Sequence, residues 1–164
     1  MILTKTEILK EIKNNRLKIT PFEETNIGPA SIDLTLSDEF RIFPKLKTIL
    51  LSEATDAEKL SKETKKEKIT LKPGDFILAK TQEKITLPEN ICGLLSGRSR
   101  FARMGLLIDV TAFFISPGVS NRQVFEIKNI SHNAITLSKG LKIAQLVLVR
   151  TEGKAKYNGK FKDQ

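Results

Sequence analysis

The side chains best suited to chemistry lie in one run, Ser96-Gly97-Arg98-Ser99-Arg100-Phe101-Ala102-Arg103. It follows an apolar stretch and opens with small residues. Its guanidinium forks suit phosphate oxygens, Ser99 adds a hydroxyl, and Gly97 lets backbone approach a ligand. A short helix opening at Ser99 would also turn free N–H groups toward an anion. Spacing alone fits a solvated basic turn slightly better. The second informative residue is Glu126, in Gln123-Val124-Phe125-Glu126-Ile127-Lys128-Asn129. On a strand, Phe125 and Ile127 share one face, while Val124, Glu126 and Lys128 share the other. By itself Glu126 reads first as an exposed glutamate paired with Lys128 or a cross-strand cation. The functional alternative is a general base tuned by partial burial and a nearby arginine.

Other reactive residues are sparse. Cys92, between Ile91 and Gly93, reads as a small buried hydrophobe. His132, between Ser131 and Asn133, reads as a turn residue. Asp33 either pairs within a sheet or faces a site. Tyr157, the one tyrosine, sits in a basic tail where it either covers a ligand or has no role. One cysteine and one histidine exclude an internal disulfide framework and a His/Cys zinc cage within the chain. A single cysteine also fits a reducing cytoplasm, the expected location. No apolar stretch reaches a membrane span, and the start of the chain lacks the apolar core of a signal peptide. Lys+Arg 28 against Asp+Glu 19 leaves a net charge of +9, which fits either a merely soluble surface or a phosphate-bearing partner.

The elements that must position these residues are mostly strands. The 164 residues suit a single domain. Thr4 and Glu7 have capping-box spacing, and Ile8, Leu9 and Ile12 share a helical face, predicting a helix that ends near Asn14-Asn15. This helix and its lead-in occupy 1–22. Alternation from Ile32 to Leu36 predicts a strand, continued in residues 40–43. Residues 52–67 are charged or small and read as an exposed excursion with a helical turn. Short strands follow at 69–71, 76–79, 85–87, 91–95, 123–129, 134–137 and 141–149, punctuated by Pro, Gly and Asn. This predicts a mainly β chain, a distorted jelly-roll or β-barrel. Residues 150–164 read as a flexible basic tail.

In order along the chain, these clusters resemble the dCTP deaminase/dUTPase superfamily, in its dCTP deaminase branch. Ala30-Ser31-Ile32-Asp33-Leu34 resembles its first motif, and Gly97 to Arg103 its phosphate-binding second motif. Asp109-Val110-Thr111-Ala112 with Ile115-Ser116-Pro117-Gly118 resembles the third. Lys139-Gly140-Leu141-Lys142-Ile143-Ala144-Gln145-Leu146 resembles the fourth, and Lys156-Tyr157-Asn158-Gly159 the deaminase tail. The resemblance implies a dUTPase-like subunit, assembled as a homotrimer with sites between subunits. It implies a deoxypyrimidine triphosphate substrate accompanied by Mg²⁺, with no zinc, no membrane and no nucleic acid.

On this resemblance Glu126 is the base that activates water, Ser99 and the Ala112 carbonyl position that water, and Arg103 orients Glu126. Arg98, Ser99, Arg100 and Gln145 hold phosphates, while Val110, Thr111, Lys156, Tyr157 and Lys160 join the substrate contacts. The implied reaction turns dCTP into dUTP and ammonia. Alternatives are a dUTPase, a bifunctional enzyme releasing dUMP and pyrophosphate, and a non-catalytic nucleotide- or nucleic-acid-binding module. Ser116 stands where dUTPases carry a catalytic aspartate, which weighs against hydrolysis at the phosphate. Arg100, Phe113, Phe114, Asn121 and Lys160 also depart from the family pattern.

Overall fold

Helix α1 (Lys5–Lys13) buries Ile8 and Glu11 on its inner face and stops at Asn14, followed by Asn15 in the left-handed region at φ 56°. The capping box does not form: the Thr4 side chain makes no cap hydrogen bond. Glu7 is drawn instead to Arg150, whose Nη2 donates to Glu7 Oε2 at 3.1 Å. These coordinates are a computed structural model that describes residues 1–45 and 48–161. The end of the expected tail, 162–164, lies outside the described residues.

Strand β1 (Lys18–Thr20) leads to β2 (Ile32–Ile42), the strand that the sequence predicts from Ile32 and continues into 40–43. Its pairing shifts register between Leu36 and Phe40. The expected excursion contains helix α2 (Ala57–Leu60) and also β3 (Lys62–Lys65), which pairs with β2. Main-chain pairing makes this strand, since its residues are polar and supply no apolar alternation.

Strand β4 (Lys68–Leu71) precedes β5 (Phe76–Thr86), which fuses two expected strands. In the polar middle of β5, Thr81 and Glu83 are buried. Glu83 accepts from the Thr35 backbone N–H at 3.0 Å and from its hydroxyl at 2.7 Å. Then come β6 (Ile91–Gly97), α3 (Ser99–Ala102), β7 (Leu106–Ile108), β8 (Phe114–Ile115), β9 (Ser120–Asn129), β10 (Ile135–Ser138) and β11 (Lys142–Arg150). Strands β7 and β8 are too short to show a period in sequence.

The main sheet runs β7-β9-β5-β2-β11-β6-β8, with β1 added to β5 and β3 to β2; β4 and β10 form a separate pair. It is a curled, mainly β architecture, as the sequence predicts. The core inside the curl includes Phe40, Phe125, Leu34, Leu36, Ile85, Ile91 and Leu146. Burying side chains of this size contributes about 1.5–3 kcal/mol each. Cys92 is buried as expected. No helix among the described residues is long and apolar enough to cross a membrane.

Candidate active site

Glu126 owes its position to the alternation of β9. Phe125 and Ile127 are fully buried, and Glu126 points to the opposite face. The incoming loop fixes its carboxylate: the Thr111 backbone N–H donates to Oε2 at 3.0 Å, and the Thr111 hydroxyl reaches the same oxygen at 3.4 Å. This face opens on a cavity of about 830 Å³ whose walls include Glu126, Ala112, Ser116, Tyr157, Lys160 and Phe114. Its lining also includes Arg41, bonded to Glu63 at 3.2 Å, and Glu39, which accepts from Arg122 at 2.8 Å. The Arg122 hydrogen bond holds the Glu39 carboxyl below the usual range.

The C-terminal segment is tied across this cavity. Tyr157 N–H donates to the Pro117 carbonyl at 3.1 Å. Lys160 Nζ meets Asp56 Oδ2 at 2.9 Å, and Asn121 Nδ2 donates to the Phe161 carbonyl at 2.8 Å. Asn121 and Lys160, two departures from the family pattern, thus both fasten the tail. Lys156 packs over Gly118, where a Cβ would meet Lys156 Cγ at 3.0 Å.

The arginine cluster sits elsewhere. Gln145 lies opposite Asp33 on β2 and opposite Ser96 on β6, so the three side chains share a face. Arg98 joins them: Nη2 lies 3.3 Å from Asp33 Oδ2, and Nη1 donates to the Lys142 carbonyl at 3.1 Å. Asp33 is therefore an in-sheet ion-pair partner. Ser99, Arg100 and Arg103 stand exposed on and beside α3, and Val110 is exposed on the loop that follows β7. Among the described residues walling the Glu126 cavity, none comes from 96–103, and Arg103 makes no ion pair with Glu126 within one chain. The structure brings Glu126, Thr111, Ala112, Tyr157 and Lys160 together, and separately Arg98 and Gln145. Gly97 has another use than expected. A Cβ there would meet Ile108 Cβ at 3.2 Å, so the missing side chain admits β7 rather than a ligand.

Sequence reasoning overlooked Asp109 as a site residue. It has φ 56°, and both its carboxylate oxygens are shut off from solvent without a hydrogen-bond partner. Burial, and secondarily the charge of Glu126, push its carboxyl up to about 7. The available signal was an aspartate next to a strand end, a residue type that tolerates the left-handed region. Among the described residues, no three His, Cys, Asp or Glu side chains gather as a metal site.

The dCTP deaminase-like family model matches residues 2–151. The chain belongs to that family. A Mycobacterium bovis (strain BCG / Pasteur 1173P2) protein named "dCTP deaminase, dUMP-forming" is 38% identical over 153 residues, covering 92% of this chain and 80% of its own. A relative of the same name from Mycobacterium sp. (strain KMS) is 36% identical and covers 100% of this chain and 92% of its own. Among solved structures, the 2'-deoxycytidine 5'-triphosphate deaminase from Agrobacterium tumefaciens matches with TM-score 0.71 and 18% identity. That match covers 92% of this chain, which spans 48% of the length of the Agrobacterium protein. A variant of the phage 80alpha dUTPase matches with TM-score 0.52 and 19% identity, over 89% of this chain and 97% of its own. Both structural matches establish the shared fold of the family, deaminase-like and dUTPase-like alike.

Proposed function

We propose that this chain deaminates dCTP, with Glu126 as the general base. The observation that carries the reading is the fixed carboxylate: Glu126, held by the Thr111 N–H, walls a cavity beside Ala112 in a chain of this family. Glu126 takes a proton from water and passes it to N3 as the oxygen attacks C4 of the cytosine; the second water proton then goes to the amine, the C4–N bond breaks, and ammonia leaves as the C4 carbonyl forms. The Ala112 carbonyl and the Ser99 hydroxyl position the water, and Arg103 orients the base. Arg98, Ser99, Arg100 and Gln145 take the phosphates, Val110 and Thr111 flank the base, and Lys156, Tyr157 and Lys160 close the site. Mg²⁺ travels with the triphosphate as part of the substrate.

Ser99 and Arg103 do not wall the cavity that holds Glu126 of their own chain. A second copy therefore supplies them, and a closed cyclic trimer, which the family resemblance implies, is an assembly in which every copy gives and receives. Light scattering should show that trimer; a monomer at working concentration would overturn the shared site.

The name of the mycobacterial relatives favours a second reading, in which deamination is followed by phosphate hydrolysis to dUMP. Ser116, on the cavity wall, cannot supply a carboxylate for that step, so the first reading stops at dUTP. Incubation with dCTP and with dUTP, each with Mg²⁺, followed by chromatography, separates the two. Ammonia with dUTP supports deamination alone, ammonia with dUMP and pyrophosphate supports the second reading, and no ammonia overturns both.

A further inference from the structure

Strands β7 and β9 run antiparallel, with Leu107 opposite Lys128 and Ile108 opposite Ile127. Asp109 is the first residue past this last paired rung, one position beyond Ile108 as Glu126 is one position before Ile127. At Asp109 the backbone turns into the left-handed region, ending the strand. Two residues later the Thr111 N–H binds the Glu126 carboxylate. The segment thus folds around the base, with Asp109 enclosed behind it. Both Asp109 oxygens are sealed from solvent with no donor to meet them. A buried carboxylate without donors is strongly disfavoured relative to the neutral acid.

Within one chain, no cation among the described residues is paired with it. Among the described residues of the elements packed nearby, Lys128 is one rung away on β9, opposite Leu107, and Arg100 and Arg103 lie on and beside α3. None of them forms an ion pair with Asp109, and the charged group that acts on it is Glu126.

We propose that Asp109 is a positioning residue for Glu126: a neutral carboxylic acid enclosed in the turn that carries Thr111 to the base, which leaves Glu126 as the one negative charge there. This deepens the deaminase reading and rests on it. Two ionised carboxylates at this spot would repel, and the repulsion would fall on the loop whose Thr111 N–H aims Glu126. A proton on Asp109 removes that repulsion. Asp109 touches no reacting atom; it acts through the carboxylate beside it.

The sign of the pH effect follows. An acid that keeps its proton in the folded chain up to about 7, but loses it near 3.8 when unfolded, weakens folding as pH rises through that window. Above it, Asp109 ionises and Glu126 loses its fixed setting.

Two measurements test this. The first needs no turnover: carboxyl ¹³C NMR of the assembled protein labelled at aspartate, without nucleotide. The Asp109 signal, assigned by its loss in Asp109→Asn, should titrate near pH 7 and move to lower pH in Glu126→Gln. A midpoint near 4, or no movement in Glu126→Gln, overturns the proposal. Should Asp109→Asn fail to fold, Asp109→Ser supplies the assignment, and the shift in Glu126→Gln still decides it. The second is the pH profile of ammonia release from dCTP. The rate should fall about tenfold per pH unit above the Asp109 titration, and this alkaline limb should vanish in Asp109→Asn, whose amide cannot ionise. An equal loss at every pH would mark Asp109 as merely structural and overturn the proposal. If the coupled titration appears but no ammonia forms, the carboxyl pair stands and the deaminase reading falls.

Discussion

Two buried acids in this chain behave in opposite ways. Glu11, on α1, is fully buried and accepts from Arg16 Nε at 2.6 Å and from Arg150 Nη2 at 2.7 Å. The Arg16 hydrogen bond, with Arg150 reinforcing it against the cost of burial, brings its carboxyl down to about 2. Asp109 is also enclosed, but its neighbour is another carboxylate, and its carboxyl rises to about 7. Burial disfavours charge in both places. What differs is the supply of donors: two guanidinium groups outweigh desolvation, and none leaves it unopposed. The first acid fastens the N-terminal helix to the end of β11. The second, in our proposal, is left without a partner because it serves the residue beside it.

The largest effect should come from the base itself. Glu126→Gln keeps size and the bond from Thr111 but removes the proton acceptor, so ammonia release should fall by about 10²–10⁴-fold with little change in nucleotide affinity. Near-parent turnover would make Glu126 an ordinary surface glutamate.

Glu11→Gln attacks the other side of the comparison. It should lower stability by roughly 1–3 kcal/mol, the modest figure reflecting that both arginines can turn toward water. A urea titration would show this as a lower midpoint with unchanged slope. An unchanged midpoint would show that the clasp contributes nothing.

The two acids should also give opposite pH signatures. The Glu11 contribution is present in full above its unfolded value of 4.5 and is lost as pH falls toward about 2. The gap between parent and Glu11→Gln should therefore close in acid. The Asp109 contribution runs the other way: Asp109→Asn should gain on the parent as pH rises from about 4 to about 7. Denaturation curves across pH 2–8 on the three proteins would show whether the gaps move in opposite directions.

The smallest effect on folding should come from the tail clasp. Lys160→Gln breaks the exposed pair with Asp56, so the unfolding midpoint should stay within error while the KM for nucleotide rises. A shifted midpoint with unchanged KM would make the clasp a fold element instead of a closure device.

Much of the site's framework was written in local patterns. The alternation Val124-Phe125-Glu126-Ile127 put Glu126 opposite the core, because period two allows no other face once Phe125 is buried. The run after β6 allowed a short helix at Ser99 without requiring it, and the apolar spacing of α1 set where that helix stops. Ordered motifs announced the family. The tertiary structure decided the rest, because those features depend on contacts between distant segments. Strand β3 exists only because β2 offers it a polar edge, and β5 stays continuous because Thr35 satisfies Glu83. Gly97 is small because Ile108 needs its space. Asp109 looked like any loop aspartate until the fold sealed both its oxygens without a donor, in the turn whose Thr111 binds Glu126. Sequence fixes which groups can carry charge; only the folded surroundings decide whether a buried one meets a cation, a carboxylate or nothing, and that sets its protonation.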